Sequence, residues 1–281
     1  MGTLQYTKEL GTAYFLPSDD EENQRLNRQH GLLTRTLPGG LIQAPVGLQD
    51  KDFVLDNATG NGVWLLELAS KGPKGAQYIG IDMQPRLLPP PSSTPSNVQF
   101  IVKSILELPA EWTNRFTFVH QRLLVCALRK KEWPQVLKEI YRVLKPGGWV
   151  QLTEVENWVA GPITRIVQTL VDKAGQHRGT EGWPGLGNPL VGHLKACGFQ
   201  NIQLIPHNTP LGASEGEDGS DGKNNIATIF NGIRSHVLEC GGFGLVNSEE
   251  KYDELLAQVR EEVDASQGGR IEWFVVYAQK P

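Results

Sequence analysis

No apolar run in the 281-residue sequence approaches the ~20 residues that a bilayer-spanning helix requires. The opening residues, MGTLQYTKELGTAYFLP, hold no basic stretch followed by an apolar one, and Tyr6 stands where myristoylation needs Ser or Thr. The expectation is a cytoplasmic protein with no membrane partner. Cysteine is scarce: Cys126, Cys197 and Cys240 are odd in number and far apart, which argues against a disulfide framework and against paired-cysteine zinc ligation. An excess of one charge is missing too. The formal net charge is −4 with both signs interspersed, so neither a nucleic-acid footprint nor a polybasic patch stands out, and small-molecule chemistry is favoured.

What is present is an alternation of short β-rich runs with helical patterns, the mark of a parallel sheet with crossover helices. Strands are expected at Phe53–Asp56, Gln77–Asp82, Val98–Val102, Phe116–His120, Trp149–Val155, Asn201–Ile205 and Ile271–Ala278. Helices are expected at Val63–Lys71, Glu132–Leu144, Ile163–Ala174 and Leu190–Cys197, with Pro146-Gly147-Gly148 stopping the second of these. Residues 212–225, rich in Gly, Ser, Asp and Glu, read as a mobile surface loop before two amphipathic helices at Ile226–Glu239 and Ser248–Val263. Ser248 fits an N-cap, and Gly242 to Leu245 a turn.

One elaborated domain is expected: a cap over residues 1–45, a ligand-binding core over 46–160, cap helices at 161–180 and 224–264 within 161–270, and a final strand over 271–281. Segments with no place in a minimal sheet sandwich are expected to cover its carboxyl edge.

The most informative stretch runs from Asp56 through Asn57, Ala58, Thr59, Gly60, Asn61 and Gly62 to Trp64. A strand ending in an acid leads through small residues into a helix, so backbone can approach a ligand that Cβ atoms would exclude. The register of a pyrophosphate-binding Gly-rich turn is not met, and Asp56 would repel pyrophosphate. A ligand carrying ammonium and sulfonium charge is favoured by the same acid. Asp82, ending the second strand, sits where a Rossmann-like fold holds ribose hydroxyls. Each acid alone could equally be a turn residue or a cap.

The chain resembles the fungal class I S-adenosylmethionine-dependent methyltransferases related to the secondary-metabolism regulator LaeA. The resemblance rests on Tyr14 to Pro17, Glu22, Arg25-Leu26 and Gln29-His30, on the Asp56 to Trp64 motif and Ile79 to Asp82, on Asn97 to Phe100 and Phe116 to Arg122, and on Val143 to Trp149. It implies a seven-stranded, mostly parallel sheet with helices on both faces and a helical cap, binding S-adenosylmethionine and releasing S-adenosylhomocysteine. By the same resemblance Asp56, Ala58 and Gly60, within the turn that also holds Thr59 and Gly62, surround the methionine part. Asp82 holds the ribose, Met83 packs on the adenine, Ser104 and Ile105 border it, His120 lies beneath the sulfur, and Tyr14 closes from the cap. Three positions depart from the family pattern: Ala58 for glycine, Ser104 for an acid, and Thr117 for Asp.

Candidates for chemistry are the residues at the ends of the fourth and fifth strands: His120, Gln121, Arg122, Glu154, Glu156 and Asn157. His120 reads either as a general base or as a ring packed on the cofactor. Glu154 reads either as a base or as a partner of Arg122. No cluster of oxygens suits magnesium, and His177, His193 and His207 lack ligand spacing, so no metal is expected. Trp158, Trp183 and Phe230 are candidates for an aromatic substrate wall. The expected activity is methyl transfer to O, N or S of a small molecule, by a monomer or homodimer. Two alternatives stand beside it: a rearrangement or cyclisation that does not consume the cofactor, and a non-catalytic regulator.

Overall fold

The computed structural model describes residues 20–180 and 185–281. Seven strands form one sheet: β1 (Phe53–Asn57), β2 (Gln77–Asp82), β3 (Val98–Val102), β4 (Phe116–Arg122), β5 (Leu144–Val159), β6 (Gln200–Pro210) and β7 (Arg270–Gln279). Their spatial order is β3-β2-β1-β4-β5-β7-β6. β1 to β5 pair in parallel, and β7 inserts antiparallel to both β5 and β6. The chain leaves β1 toward β2 on one side and later returns to β4 on the other. Connections therefore diverge at the carboxyl ends of β1 and β4, and a crevice opens there.

Central strands are covered on both faces and are built accordingly. In β4 every residue from Phe116 to Gln121 is buried, with no polar-apolar alternation. The edge strand β6 is mostly exposed and carries Pro206 and Pro210, which blunt its free hydrogen-bonding side.

Among the described residues, eight α-helices flank the sheet: α1 (Asp20–Thr36), α2 (Val63–Lys71), α3 (Trp133–Val143), α4 (Pro162–His177), α5 (Gly187–Ala196), α6 (Gly216–Gly232), α7 (Arg234–Glu239) and α8 (Glu249–Ala265). α3 shows why such segments are helical: Trp133, Val136, Leu137, Ile140 and Val143 fall on one buried stripe, and Pro134 occupies the first turn, where a missing N–H costs nothing. Ser248 accepts from the Lys251 amide at 3.2 Å as the N-cap of α8.

Two expectations are corrected. First, Pro146-Gly147-Gly148 does not stop α3: that helix ends at Val143, and Leu144 already pairs with Phe116. The next pairing in register is Phe118 with Trp149, so residues 145–148 form an irregularity within the β4–β5 ladder, with Gly147 at φ +79°. Second, residues 212–225 are not a surface loop. α6 begins at Gly216, and Gly219, Gly222 and Asn225 are buried.

The glycines there serve close packing: a Cβ on Gly219 would lie 2.1 Å from the Gly212 carbonyl oxygen, and one on Gly222 2.7 Å from that of Pro210. The acidic residues meet a partner from the other end of the chain. Arg35, in the last turn of α1, bonds Asp218 at 2.8 Å and Asp221 at 2.9 Å. α1 and α6 thus lie together over the crevice.

Candidate active site

The turn after β1 is held by its own side chains. Ala58, Gly60 and Gly62 all take left-handed backbone, at φ +60°, +58° and +73°. Between them, the Thr59 amide donates to the Ile81 carbonyl at 2.8 Å, and the Thr59 hydroxyl donates to Asp56 at 2.5 Å. Asn61 reaches up to α1 and donates to the side-chain oxygens of Asn23 and Asn27 at 2.7 and 2.8 Å. Ala58 is therefore not in an ordinary conformation. An L-residue with a Cβ at this angle carries a strain of about 1 kcal/mol that glycine would not.

Above the turn lies a cavity of about 350 Å³, within the usual range for small-molecule sites. Its walls divide in two. One end is formed by Ala58, Thr59, Gly60, Asp82, Met83, Gln84, Ser104 and Ile105, from the carboxyl ends of β1, β2 and β3. The other is apolar and aromatic, with Leu124, Leu128, Val155, Trp158, Ile229 and Trp273. Arg25 and Gln29 from α1 and Asn225 from α6 also border it, as do Arg122 and Glu132. Arg25 is held by a two-pronged pair with Glu22, both bonds 2.7 Å, and donates to Asn225 at 3.1 Å.

Asp82 is the key group of the polar end. One of its oxygens accepts from the Gly60 amide and the other from the Gln84 amide, each at 2.8 Å. Burial pushes its carboxyl up to about 6, with the Gln84 and Gly60 amides pulling the other way. The Met83 amide also donates to it, and the carboxyl keeps acceptor capacity for a further donor. Beside it, the Gln84 side-chain oxygen is buried without a hydrogen-bond partner. An anionic acceptor, an orphaned polar atom and a backbone turn in left-handed conformation suit a nucleoside bearing positive charge.

The structure separates the other sequence candidates. Thr59, Gly60, Ala58, Asp82, Met83, Ser104 and Ile105 border the cavity, and so does Arg122. Asp56, Gly62, His120 and Glu154 do not. Asp56 is buried beneath the turn, where its second oxygen lies 2.7 Å from His120 Nδ1. The His120 ring stacks on Trp64 at 3.6 Å, and burial lowers its pKa while Asp56 raises it. Both act as supports from below. Gly62 instead clears space for Phe100, whose ring would lie 2.5 Å from a Cβ. Tyr14 and Trp183 lie outside the described residues.

Glu154 is fully buried and accepts from the Leu124 and Val125 amides at 2.8 and 3.1 Å, while the neighbouring Leu123 amide donates to the Thr153 carbonyl at 2.9 Å. It is neither a base on the cavity wall nor the partner of Arg122; it clasps the loop after β4. Burial pushes its pKa up to about 8 against those amides. Arg122 lies 3.2 Å from His30 Nδ1, and His30 Nε2 lies 2.5 Å from Glu67. Burial foremost, then the Arg122 charge, lowers His30 to about 4, so its Nδ1 accepts and its Nε2 donates. Arg122 is itself lowered by burial only to about 10 and stays charged at neutral pH.

The remaining candidates sort as clearly. Phe230 stacks on Tyr252 in the core at 4.3 Å and does not line the cavity, whereas Trp158 does. Thr117 is remote from the site: it donates to Asp52, which also pairs with Lys145. It does not line the cavity. Sequence reasoning does not single out Arg25, Asn225 or Trp273 as lining residues. No local signal marks Trp273, which alternation merely places in a strand, and its indole N–H is satisfied by Thr209 at 2.9 Å.

Fold and site together define a class I methyltransferase architecture, and comparison with known proteins agrees. A family model described as a methyltransferase domain matches residues 54–148. The N-methyltransferase gliN of Aspergillus fumigatus is 31% identical over 282 aligned positions, covering 95% of this chain and 96% of gliN. The N-methyltransferase verN of Clonostachys rogersoniana is 37% identical over 154, about half the length of each protein at 53%. Among solved structures, the Haemonchus contortus phosphoethanolamine N-methyltransferase 2, in complex with phosphomonomethylethanolamine and S-adenosylhomocysteine, superposes with a TM-score of 0.51 at 19% identity, covering 92% of this chain and 52% of that one. The chain belongs to the fungal class I S-adenosylmethionine-dependent methyltransferases, enzymes that methylate small molecules. Among the described residues, no helix is long and apolar enough to cross a membrane.

Proposed function

We propose that the protein transfers the methyl group of S-adenosylmethionine to a nitrogen atom of a largely apolar, ring-bearing natural product. The observation that carries this reading is the continuity of one cavity from the Asp82 end to the Trp158 and Trp273 end. The names of gliN and verN as N-methyltransferases support nitrogen as the acceptor.

The cofactor supplies a methyl group on a sulfonium, already joined to a good leaving group. The protein's part is alignment and exclusion of water. Asp82 accepts from the ribose, Met83 and Ile105 pack on the adenine with Ser104 at its edge, and Ala58, Thr59 and Gly60 line the methionine part. Arg122, fixed by His30, holds an anionic group of cofactor or acceptor and is too strongly charged to serve as a base. Asp56 and His120 brace the turn without touching the ligand. Tyr14 remains the proposed closure from the cap.

A neutral amine nitrogen attacks with its own lone pair, needs no metal, and releases its proton to solvent only after the methyl group has moved. The cavity wall fits that demand: Glu154 and His120 are turned out of it, and Glu132 is held by the Arg129 amide at 2.8 Å and its guanidinium at 3.0 Å. Among the described residues, no group of three or more metal-ligating side chains borders the cavity.

The test pairs calorimetric titration of the full chain with S-adenosylmethionine and S-adenosylhomocysteine with turnover of matched amine, alcohol and thiol ring compounds, followed by mass spectrometry. Methylated amine formed one-for-one with S-adenosylhomocysteine is expected. Binding without consumption of the cofactor while an acceptor is converted would replace methyl transfer by a rearrangement, and absence of cofactor binding would overturn both.

A further inference from the structure

Far along the chain from the cofactor turn, three potential metal ligands meet on the outside of the cap. His177 ends α4, His236 lies in α7, and Cys240 follows α7 directly. One ligating atom from each lies within 4.8 Å of the others. Cys240 Sγ is 3.6 Å from His177 Nδ1 and 4.0 Å from His236 Nε2. None of the three borders the cavity.

We propose that His177, His236 and Cys240 bind one zinc-class divalent ion that clips α4 to α7. With Zn–S near 2.3 Å and Zn–N near 2.1 Å, a tetrahedral ion holds its sulfur and nitrogen ligands about 3.6 Å apart. The Cys240–His177 separation matches this, and Cys240–His236 needs a closure of a few tenths of an ångström. A thiolate with two imidazoles is a ligand set suited to zinc, and three protein ligands leave a fourth position for water.

Two further features prepare the site. The buried His236 is hydrogen-bonded to the Ala174 backbone, the kind of outer contact that fixes a ligating imidazole. The chain after Cys240 turns sharply: Gly241, Gly242, Phe243 and Gly244 all have positive φ. Phe243 bears that strain at +52° and sets its ring 6.2 Å from that of His177, as an apolar cover. Arg178 places an opposing positive charge near Cys240 and His236, which the thiolate formed on binding offsets. On binding, Cys240 gives its thiol proton to solvent and no redox change takes place.

The consequence reaches the active site through the fold. α7 follows α6 directly, and α6 supplies Asn225 and Ile229 to the cavity wall. A metal clip at α7 therefore anchors one wall of the cavity.

The test is binding of Zn²⁺ to the purified full chain by equilibrium dialysis, with Co²⁺ absorption as a second probe. The expected result is one equivalent of Zn²⁺, a thiolate-to-cobalt band displaced by Zn²⁺, and a higher melting temperature with Zn²⁺ present. His177→Ala and Cys240→Ser, both at least partly exposed, should each weaken Zn²⁺ binding about tenfold or more, and Cys240→Ser should abolish the cobalt band. Cofactor affinity of both variants reports that the fold is intact. No uptake by the wild type, or undiminished uptake by the double variant, would overturn the proposal and leave a thiol–imidazole hydrogen bond.

Discussion

The two ends of the cavity are built by different physics. The polar end is a set of backbone turns pinned by short hydrogen bonds, with Asp82 joining the loop after β1 to the loop after β2. The other end is a convergence of side chains from β5, β7, α6 and the loop after β4, with Trp158 and Trp273 as its flat faces. The first can recognise one charged nucleoside with high definition. The second can only select shape and apolarity, which suits a family whose acceptors vary while its cofactor does not.

Two other buried carboxyl groups sharpen the contrast. Asp56 lies one residue from the end of β1 and Glu154 lies within β5, and both face inward and hold loops. Glu154→Ala strands the Leu124 and Val125 amide donors and should cost about 3 kcal/mol of stability in urea unfolding, with Glu154→Gln costing about 1 kcal/mol. A well-folded Glu154→Gln enzyme slowed more than about a hundredfold would break the division, because the carboxylate would then act in the chemistry.

Asp82→Ala should weaken S-adenosylmethionine binding by about a hundredfold, the loss of two hydrogen bonds to a charged group, read by calorimetry. Its pKa gives a pH signature. The folded value, about 6, is above the ordinary one of 3.8, so Asp82 takes up a proton as pH falls through 6. Acidity thereby removes the charge that the cofactor needs, whereas the apo fold alone loses stability as pH rises from about 4 to 6, where the native state holds the extra proton. Cofactor affinity should be flat above about pH 7 and fall toward tenfold per unit below pH 6, and Asp82→Asn should abolish that slope.

At the other end, Trp158→Leu keeps the wall apolar but removes a flat face. Acceptor KM should rise about tenfold in steady-state assays with cofactor affinity unchanged. A matching loss of cofactor affinity would show that the two ends are not independent. The smallest effect belongs to Ala58→Gly, which relieves the left-handed strain and should stabilise the fold by up to about 1 kcal/mol, about 2 °C in melting temperature.

Much of this is legible in the residues because it is local. Gln77–Asp82 and Val98–Val102 have the bounds that their composition indicates. Ala58, Thr59, Gly60, Asp82, Met83, Ser104 and Ile105 are marked by the sequence and do line the cavity, since strand-end acids and small-residue turns act within a few residues of one another. The errors have the opposite origin. Residues 212–225 look like a loop because glycine and acid disfavour helix locally, but close packing against Gly212 and Pro210 and the Arg35 pair override that propensity. Asp56, His120, Gly62 and Glu154 look like ligand contacts because a strand-end position is readable in one dimension. Which way a side chain faces depends on Trp64, Phe100 and the loop at 123–125, brought there from elsewhere in the chain.

The sequence by itself determined a mostly parallel α/β sheet, a small-residue turn after the first strand and an acid ending the second, because hydrophobic period, turn chemistry and strand-end charge are short-range properties. Only the tertiary structure decided which acids line the cavity and which brace the loops, how α1 and α6 roof the cavity, where Trp273 lines it, and that His177, His236 and Cys240 converge. Each of those depends on contacts between residues far apart in the chain, and such contacts exist only after the sheet has ordered its strands.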